Sequence, residues 1–310
     1  MKKIFYLTCF LFVGLGKVEA QYEGIFKHYL VDPTLINPAY AGFSDKYQFF
    51  AHYRSDLSGF PGAPQDIDLS INAPVSDKLG LGLRLLSENI ASLNNFLAEI
   101  SYGYHYTQKG FKAGIGFSTS FLKTRLLSSV DQGYNFMNND IVVQDAMLGT
   151  TYFDASVGAT ALINDQIFVS LSSPNLIRAR LGQTAGQKDT STLFKQFILY
   201  TGYIMKKDQY TFEPSIQIRQ AYASPFEVDV NAKIGILGDR LVGAITYSPG
   251  SSGKLGFMIG TKQSSFSFYY TYTSSLALIN NYTSSGNEIT LAVELNKPDK
   301  KFQRKKKYSN

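Results

Sequence analysis

The sequence holds one cysteine, no tryptophan, three histidines and little charge, with Asp, Glu, Lys and Arg making up 17% of its residues. The cysteine, Cys9, lies in the apolar stretch 4–16, behind Lys2 and Lys3 and ahead of Val18-Glu19-Ala20. These three parts read as an export signal, residues 1–20, cleaved after Ala20. Tyr6-Leu7-Thr8 ahead of Cys9 does not suit a lipoprotein cleavage site. Removing the signal removes the only thiol, which excludes disulfides, thiolate metal sites and cysteine nucleophiles and suits an oxidising periplasm. Beyond residue 20 no run reaches the roughly 18 apolar residues of a membrane-crossing helix, so a membrane role falls to strands.

Chemistry is also scarce. His28, His52 and His105 have no ligand spacing, so no metal is expected. No Ser, His and Asp set carries a supporting motif, and no glycine-rich phosphate loop leads from a strand into a helix. Asn138-Asn139-Asp140 offers three oxygen donors without a completing acid. The expectation is a chain with no catalytic residue, no cofactor and no enzymatic activity. The net charge of +6 belongs to the end of the chain, where Lys297, Lys300, Lys301, Arg304, Lys305, Lys306 and Lys307 face Asp299 alone. The body is close to neutral, which argues against nucleic acid as a partner. Residues 297–310 read as a basic periplasmic tail suited to an acidic partner or envelope surface.

What the chain has is 21 Tyr, 23 Phe and 26 Gly, and a period of two. In Asp66-Ile67-Asp68-Leu69-Ser70-Ile71-Asn72-Ala73 the apolar residues point one way and the polar ones the other, and residues 226–234 and 288–295 repeat the design. Such runs mark strands near 47–56, 66–74, 79–87, 95–106, 110–123, 151–163, 166–173, 193–205, 208–219, 226–236, 239–247, 254–262, 264–274 and 287–296. Strands of about ten residues cross a hydrocarbon layer when tilted, and short polar turns alternate here with longer links at 124–150, 174–192 and 275–286. The fold class predicted is all-β: a transmembrane antiparallel outer-membrane β-barrel of about 14 strands over residues 47–296. A soluble sandwich would also alternate, but needs neither uniformly long strands nor this rhythm of loops. Aromatics near strand ends, as in Tyr102-Gly103-Tyr104-His105-Tyr106, suit interfacial girdles in contact with outer-membrane lipid.

On the inner faces, carboxylates at i and i+2 share a face about 7 Å apart, so paired acids arise on any polar lumen. Asp66, Asp68, Glu227 and Asp229, with Arg84, Lys112, Arg219 and Lys233 facing them, read as a charge network that holds the barrel or a segment inside it. The alternate glycines of Gly80-Leu81-Gly82 and Gly114-Ile115-Gly116 read as room beside such a segment or as relief for wall curvature.

Between signal and strands lies Asp32-Pro33-Thr34-Leu35-Ile36-Asn37-Pro38-Ala39-Tyr40-Ala41-Gly42, which has no acid, base or nucleophile set. Two prolines remove two donors and bias Asp32 and Asn37 away from helix. Residues 21–46 are therefore expected to form an N-terminal extended segment, a structural plug or docking strap. The motif Asn37, Pro38, Ala39, Tyr40, Ala41, Gly42, shortly after the mature N-terminus, resembles the hallmark of the PorP/SprF family of type IX secretion system membrane proteins. The resemblance implies a Bacteroidetes outer-membrane barrel with both termini periplasmic. It implies a part in secretion or surface anchoring of a large adhesin-type cargo, including adhesins used in gliding motility. The implied partners are the C-terminal region of that cargo and the secretion or gliding machinery. A passive diffusion channel or small-solute transporter, such as the fourteen-stranded fatty-acid channel type, is the alternative.

Overall fold

The computed structural model describes residues 26–56, 62–127, 141–181, 196–221, 226–250, 253–276 and 285–297. The strands are β1 (Lys46–Asp56), β2 (Gln65–Pro74), β3 (Leu79–Ile90), β4 (Leu93–Gln108), β5 (Phe111–Leu126), β6 (Thr150–Ile163), β7 (Ile167–Ser173), β8 (Ala179–Arg180) and β9 (Phe197–Tyr203), followed by β10 (Met205–Lys207), β11 (Tyr210–Gln220), β12 (Glu227–Ile236), β13 (Leu241–Ser248), β14 (Lys254–Gln263), β15 (Phe266–Ser275) and β16 (Gly286–Asn296). One helix, α1 (Ile141–Leu148), lies between β5 and β6. Each strand pairs antiparallel with its neighbours, and β1 pairs with β16 from Lys46↔Asn296 to Asp56↔Gly286. β9 bridges β7 and β11, which closes the ring. β10 continues β9 beyond Ile204, and β8 is a two-residue pairing on β6. The result is a closed barrel of fourteen staves.

The break between β9 and β10 has a local cause. Gly202 pairs with Ser215 and Met205 with Phe212, so residues 203 and 204 stand opposite Glu213 and Pro214. Proline brings no N–H to the ladder at this point, and the Ile204 amide donates to the Gln166 carbonyl at 2.6 Å.

Which solvent the barrel was built for is read from its two faces. On β2, Asp66 and Asp68 are 2% and 0% exposed while Ile67 and Leu69 are 54% and 49% exposed. Leu81, Leu83, Ile100, Phe117, Ile245, Ile259 and Leu291 face outward in the same way. This inverts the arrangement of a water-soluble sandwich and matches a barrel with an apolar outer band. Tyr104, Tyr106, Phe111, Tyr203, Tyr210 and Phe212 crowd the exterior near the short turns, where an aromatic girdle meets headgroups.

The links at 75–78, 109–110, 164–166, 208–209, 237–240 and 264–265 all lie at the end where β1 begins and β16 finishes. Most links at the opposite end are longer. The exception is the β3–β4 hairpin, where the strands run to Ile90 and Leu93 and leave only Ala91 and Ser92 between them. Apolar periodicity stops near Ser87, so the expected strands end short of this extension. It is carried by side-chain hydrogen bonds, Asn94 to Asn89 at 2.8 Å, Asn95 to Glu88 at 2.8 Å and Arg125 to Asn94 at 3.0 Å, to which hydrophobic pattern is blind.

Candidate functional site

Residues 26–43 run inside the barrel. They are not the extended strap the sequence suggested: they form three single 3-10 turns, Lys27–Leu30, Pro33–Leu35 and Pro38–Tyr40. The prolines explain this. Asp32 and Asn37, each ahead of a proline, stay out of the helical region, but the proline that follows has its φ preset for the first position of a turn. The Asp32 carboxylate then accepts the Thr34 amide at 3.1 Å, and the Asn37 carbonyl oxygen accepts the Ala39 amide at 2.8 Å. Each Asx-Pro pair is a helix start with nothing to propagate it.

Residues 37–42 lie in a trough cut by missing side chains. Gly80 pairs with Gly103, Gly103 with Gly116 and Gly116 with Gly158, so four glycines cross β3, β4, β5 and β6 in one row. A Cβ on Gly80 or Gly103 would strike the Ala41 carbonyl, one on Gly116 the backbone of Pro38 and Ala39, and one on Gly158 the Asn37 carboxamide. Along the trough, Asn37 Nδ2 donates to the Ala159 carbonyl at 3.0 Å, to Ser170 Oγ at 2.8 Å and to the Leu171 carbonyl at 3.2 Å. Ser172 Oγ donates to the Ile36 carbonyl at 2.6 Å, and Lys112 Nζ to the Phe43 carbonyl at 2.6 Å. Gly80 and Gly116 were picked out by their alternation with apolar residues. Gly103, between two tyrosines, and Gly158 became legible only with the cross-strand register.

On the opposite wall, Tyr29, Leu30 and Ile36 pack with Phe168, Ile198, Tyr200, Ala244, Met258 and Tyr269 in an apolar cluster. Two of these aromatics lie over glycines directly across the ladder, Tyr269 on Gly260 and Phe168 on Gly202. The lumen is thus filled from both sides by complementary shape, which is what close packing requires.

The six charges proposed for the lumen face inward, and each has an opposite charge beside it. Asp66 pairs with Arg54, Asp68 with Arg84 at 2.5 Å, Glu227 with Arg219 Nε at 3.0 Å and Lys233 with Glu213 at 2.9 Å. Asp229 pairs with Lys27 of the segment at 2.7 Å, and Lys233 Nζ also donates to the Leu30 carbonyl at 2.8 Å. Sequence reasoning missed Lys27, because its partner is two hundred residues away. It also missed Glu288, whose two carboxylate oxygens accept the amides of Lys27 and His28 at 2.9 and 3.2 Å.

Two of the three histidines, His28 and His52, join this network. Asp32 meets His52 Nε2 at 3.1 Å, His52 Nδ1 meets the Thr290 hydroxyl at 2.6 Å, and the same hydroxyl contacts His28 Nδ1. His28 Nε2 meets Thr271 at 2.8 Å. Carboxylate, imidazole and hydroxyl follow the order of a nucleophile relay. Here Thr290 is 0% exposed and shared between two imidazoles, so no reacting carbonyl reaches it. The set works as an anchor. Among the described residues no group of three or more metal-ligating side chains is assembled.

A family model described as "Type IX secretion system membrane protein PorP/SprF" matches residues 18–293. No curated protein matches the chain. Among solved structures, the CymD monoaromatic hydrocarbon channel is 9% identical, with 92% of this chain and 96% of that one covered at a TM-score of 0.51. The Ralstonia pickettii toluene transporter TbuX is 9% identical, with 93% and 99% covered at a TM-score of 0.49. Omp33, an outer membrane protein of Acinetobacter baumannii, is 7% identical, with 81% and 99% covered at 0.47. At such identity the likeness to CymD speaks for the fold alone.

Proposed function

This chain belongs to the PorP/SprF family of type IX secretion system membrane proteins, and we propose that it acts there by binding, as an outer-membrane scaffold for a large adhesin-type cargo. Its place in the outer membrane and its tie to the secretion machinery follow from family and fold. Family and fold are those of a secretion-system barrel rather than of an enzyme class. The finer reading is that the barrel engages the C-terminal region of a secreted surface protein and holds it for export or anchoring, in a gliding organism as part of the motility apparatus.

The observation that carries this reading is the occupied lumen. Segment 26–43 makes hydrogen bonds to the inner faces of β1, β2, β5, β6, β7, β12, β15 and β16, so we take residues 21–46 as a plug and residues 37–42 as its docking motif. A barrel filled in this way has its outer loops and its two ends left for work. In this reading Asp66, Asp68, Arg84, Glu227, Asp229 and Lys233 hold the architecture and do not touch cargo. The short turns, the end of β16 and the basic tail 297–310 face the periplasm and the machinery, and the longer links face outward.

The test is purification of the tagged chain from native outer membrane in mild detergent, with identification of bound chains, beside a deletion strain. The expected result is a large secreted protein copurifying with the barrel and left unsecreted or shed in the deletion. Recovery of the barrel alone, together with solute conductance by the wild-type protein, would replace this reading by the diffusion channel.

A further inference from the structure

The direction of the segment inside the barrel has a topological consequence. Phe43 and Ala41 lie at the short-turn end, against Lys112 at the start of β5 and Gly80 at the start of β3. From there the chain, traced backwards, climbs. Asn37 reaches Ser170 in the middle of β7, and Asp32 reaches His52, six residues above the start of β1. Lys27 reaches Asp229, two residues from the far end of β12, and Ser248, the last residue of β13. Phe26 lies under the Arg54 guanidinium at 4.9 Å, two residues from the far end of β1. The described segment therefore spans the barrel from one mouth nearly to the other.

We infer that the chain enters the lumen through the long-link mouth and descends to β1, so that its N-terminal end and the C-terminal end of the barrel stand on opposite sides of the membrane. Both termini periplasmic is the expectation from the sequence, and a segment lying across the short-turn mouth would fit it; the path of residues 26–43 favours the other arrangement. For the chain ahead of Phe26 to return through the lumen to the short-turn side it would have to pass the packed cluster of Tyr29, Leu30, Ile36, Phe168, Tyr200, Met258 and Tyr269. The amides of Lys27 and His28, both held by Glu288, fix the heading at the point of entry. With the cleavage after Ala20 that the sequence leads us to expect, five residues remain ahead of Phe26 and reach at most about 18 Å. The route back along β1 alone is longer, since Lys46 to Arg54 is eight steps of about 3.3 Å.

The statement that the two ends lie on opposite sides stands on the segment's path, and only the naming of the long-link side as outside rests on the proposed orientation. Three single-cysteine chains separate the two, each carrying Cys9→Ser: Gly24→Cys, Gly250→Cys on the exposed β13–β14 link, and Lys109→Cys on the exposed β4–β5 turn. Each is probed on intact cells with a membrane-impermeant maleimide, before and after outer-membrane permeabilisation. The expected result is that Gly24→Cys labels with Gly250→Cys in intact cells, at least tenfold faster than Lys109→Cys. If Gly250→Cys and Lys109→Cys exchange behaviour while Gly24→Cys still follows Gly250→Cys, the proposed orientation falls and the inference holds. Labelling of Gly24→Cys in step with Lys109→Cys overturns the inference. Labelling only after denaturation overturns it as well, because residue 24 would then lie inside the barrel.

Discussion

Replacing Gly116 by valine is expected to expel the N-terminal segment from the barrel while leaving the barrel itself folded. Gly116 has an ordinary strand backbone, so the substitution strains nothing by itself, and β-branched residues are favoured in strands. The whole cost arises from the space already taken by the Pro38–Ala39 peptide. Overpacking against movable side chains costs about 1–3 kcal/mol. Here the obstacle is backbone, held in place by Asn37 on three wall atoms and by neighbouring glycines on either side. The segment cannot slide, because Gly80, Gly103 and Gly158 fit it at fixed points. Displacement of a tethered element is then the way to relieve the clash. Trypsin cleavage after Lys27, which is buried against Asp229, reads the outcome at neutral pH, with heat-modifiable gel mobility reporting the barrel. Cleavage is expected to accelerate by about a hundredfold, the equivalent of about 3 kcal/mol. Gly243→Val, on the outer wall, is the control, since a Cβ there meets nothing closer than 3.7 Å. If Lys27 stays as protected in Gly116→Val as in the native chain, the trough does not hold the segment.

The same glycines show where a sequence can be read and where it cannot. Strand positions follow from a period of two because each stave has one hydrocarbon face and one polar face, and that contrast is local. Residues 79–87 of β3 or the ten residues of β12 carry the signal within themselves. The trough has no local signature. Gly103 lies between Tyr102 and Tyr104, where a glycine in a strand reads only as a bulge or a close approach, and it becomes part of a row only through the register with Gly80 and Gly116. The lumen charges were legible as a class, because polar residues alternate inward, whereas their partners were not. Lys27 with Asp229, or His28 with Glu288, joins residues that nothing in the intervening chain relates. The turn conformation of 32–40 was within reach of the sequence: Asp32-Pro33 and Asn37-Pro38 are each a capping residue ahead of a proline. The expectation of an extended strap weighed the restriction on the residue before proline above the turn that proline begins.

Deleting residues 26–41 is expected to convert a non-conducting barrel into an ion-conducting pore, and the physics of the emptied lumen decides whether the barrel survives to be measured. Removing one partner of a buried pair in a dry interior costs about 3–5 kcal/mol, and the deletion strips partners from Asp229, Glu288, His52 and Lys233 together. In a closed interior that sum would unfold the protein. The lumen, however, opens to water at both ends once the segment is gone, and hydration replaces the lost hydrogen bonds at a fraction of that cost. The stave-to-stave ladder and the outer apolar band do not involve residues 26–41 at all. The wall that remains carries His52, Asp68, Ser70, Asn72, Ser118, Ser170, Asp229, Thr271 and Glu288 inward, a polar lining of the kind water-filled barrels have. The deleted chain should thus keep its heat-modifiable mobility and show steady current in planar bilayers, while the intact chain shows none. A conductance equal in both would mean that the segment does not occlude the barrel, and the case for a binding scaffold over a channel would lose its chief support. Loss of cargo secretion in a deleted chain that still folds would add that the segment serves the partner as well as the seal.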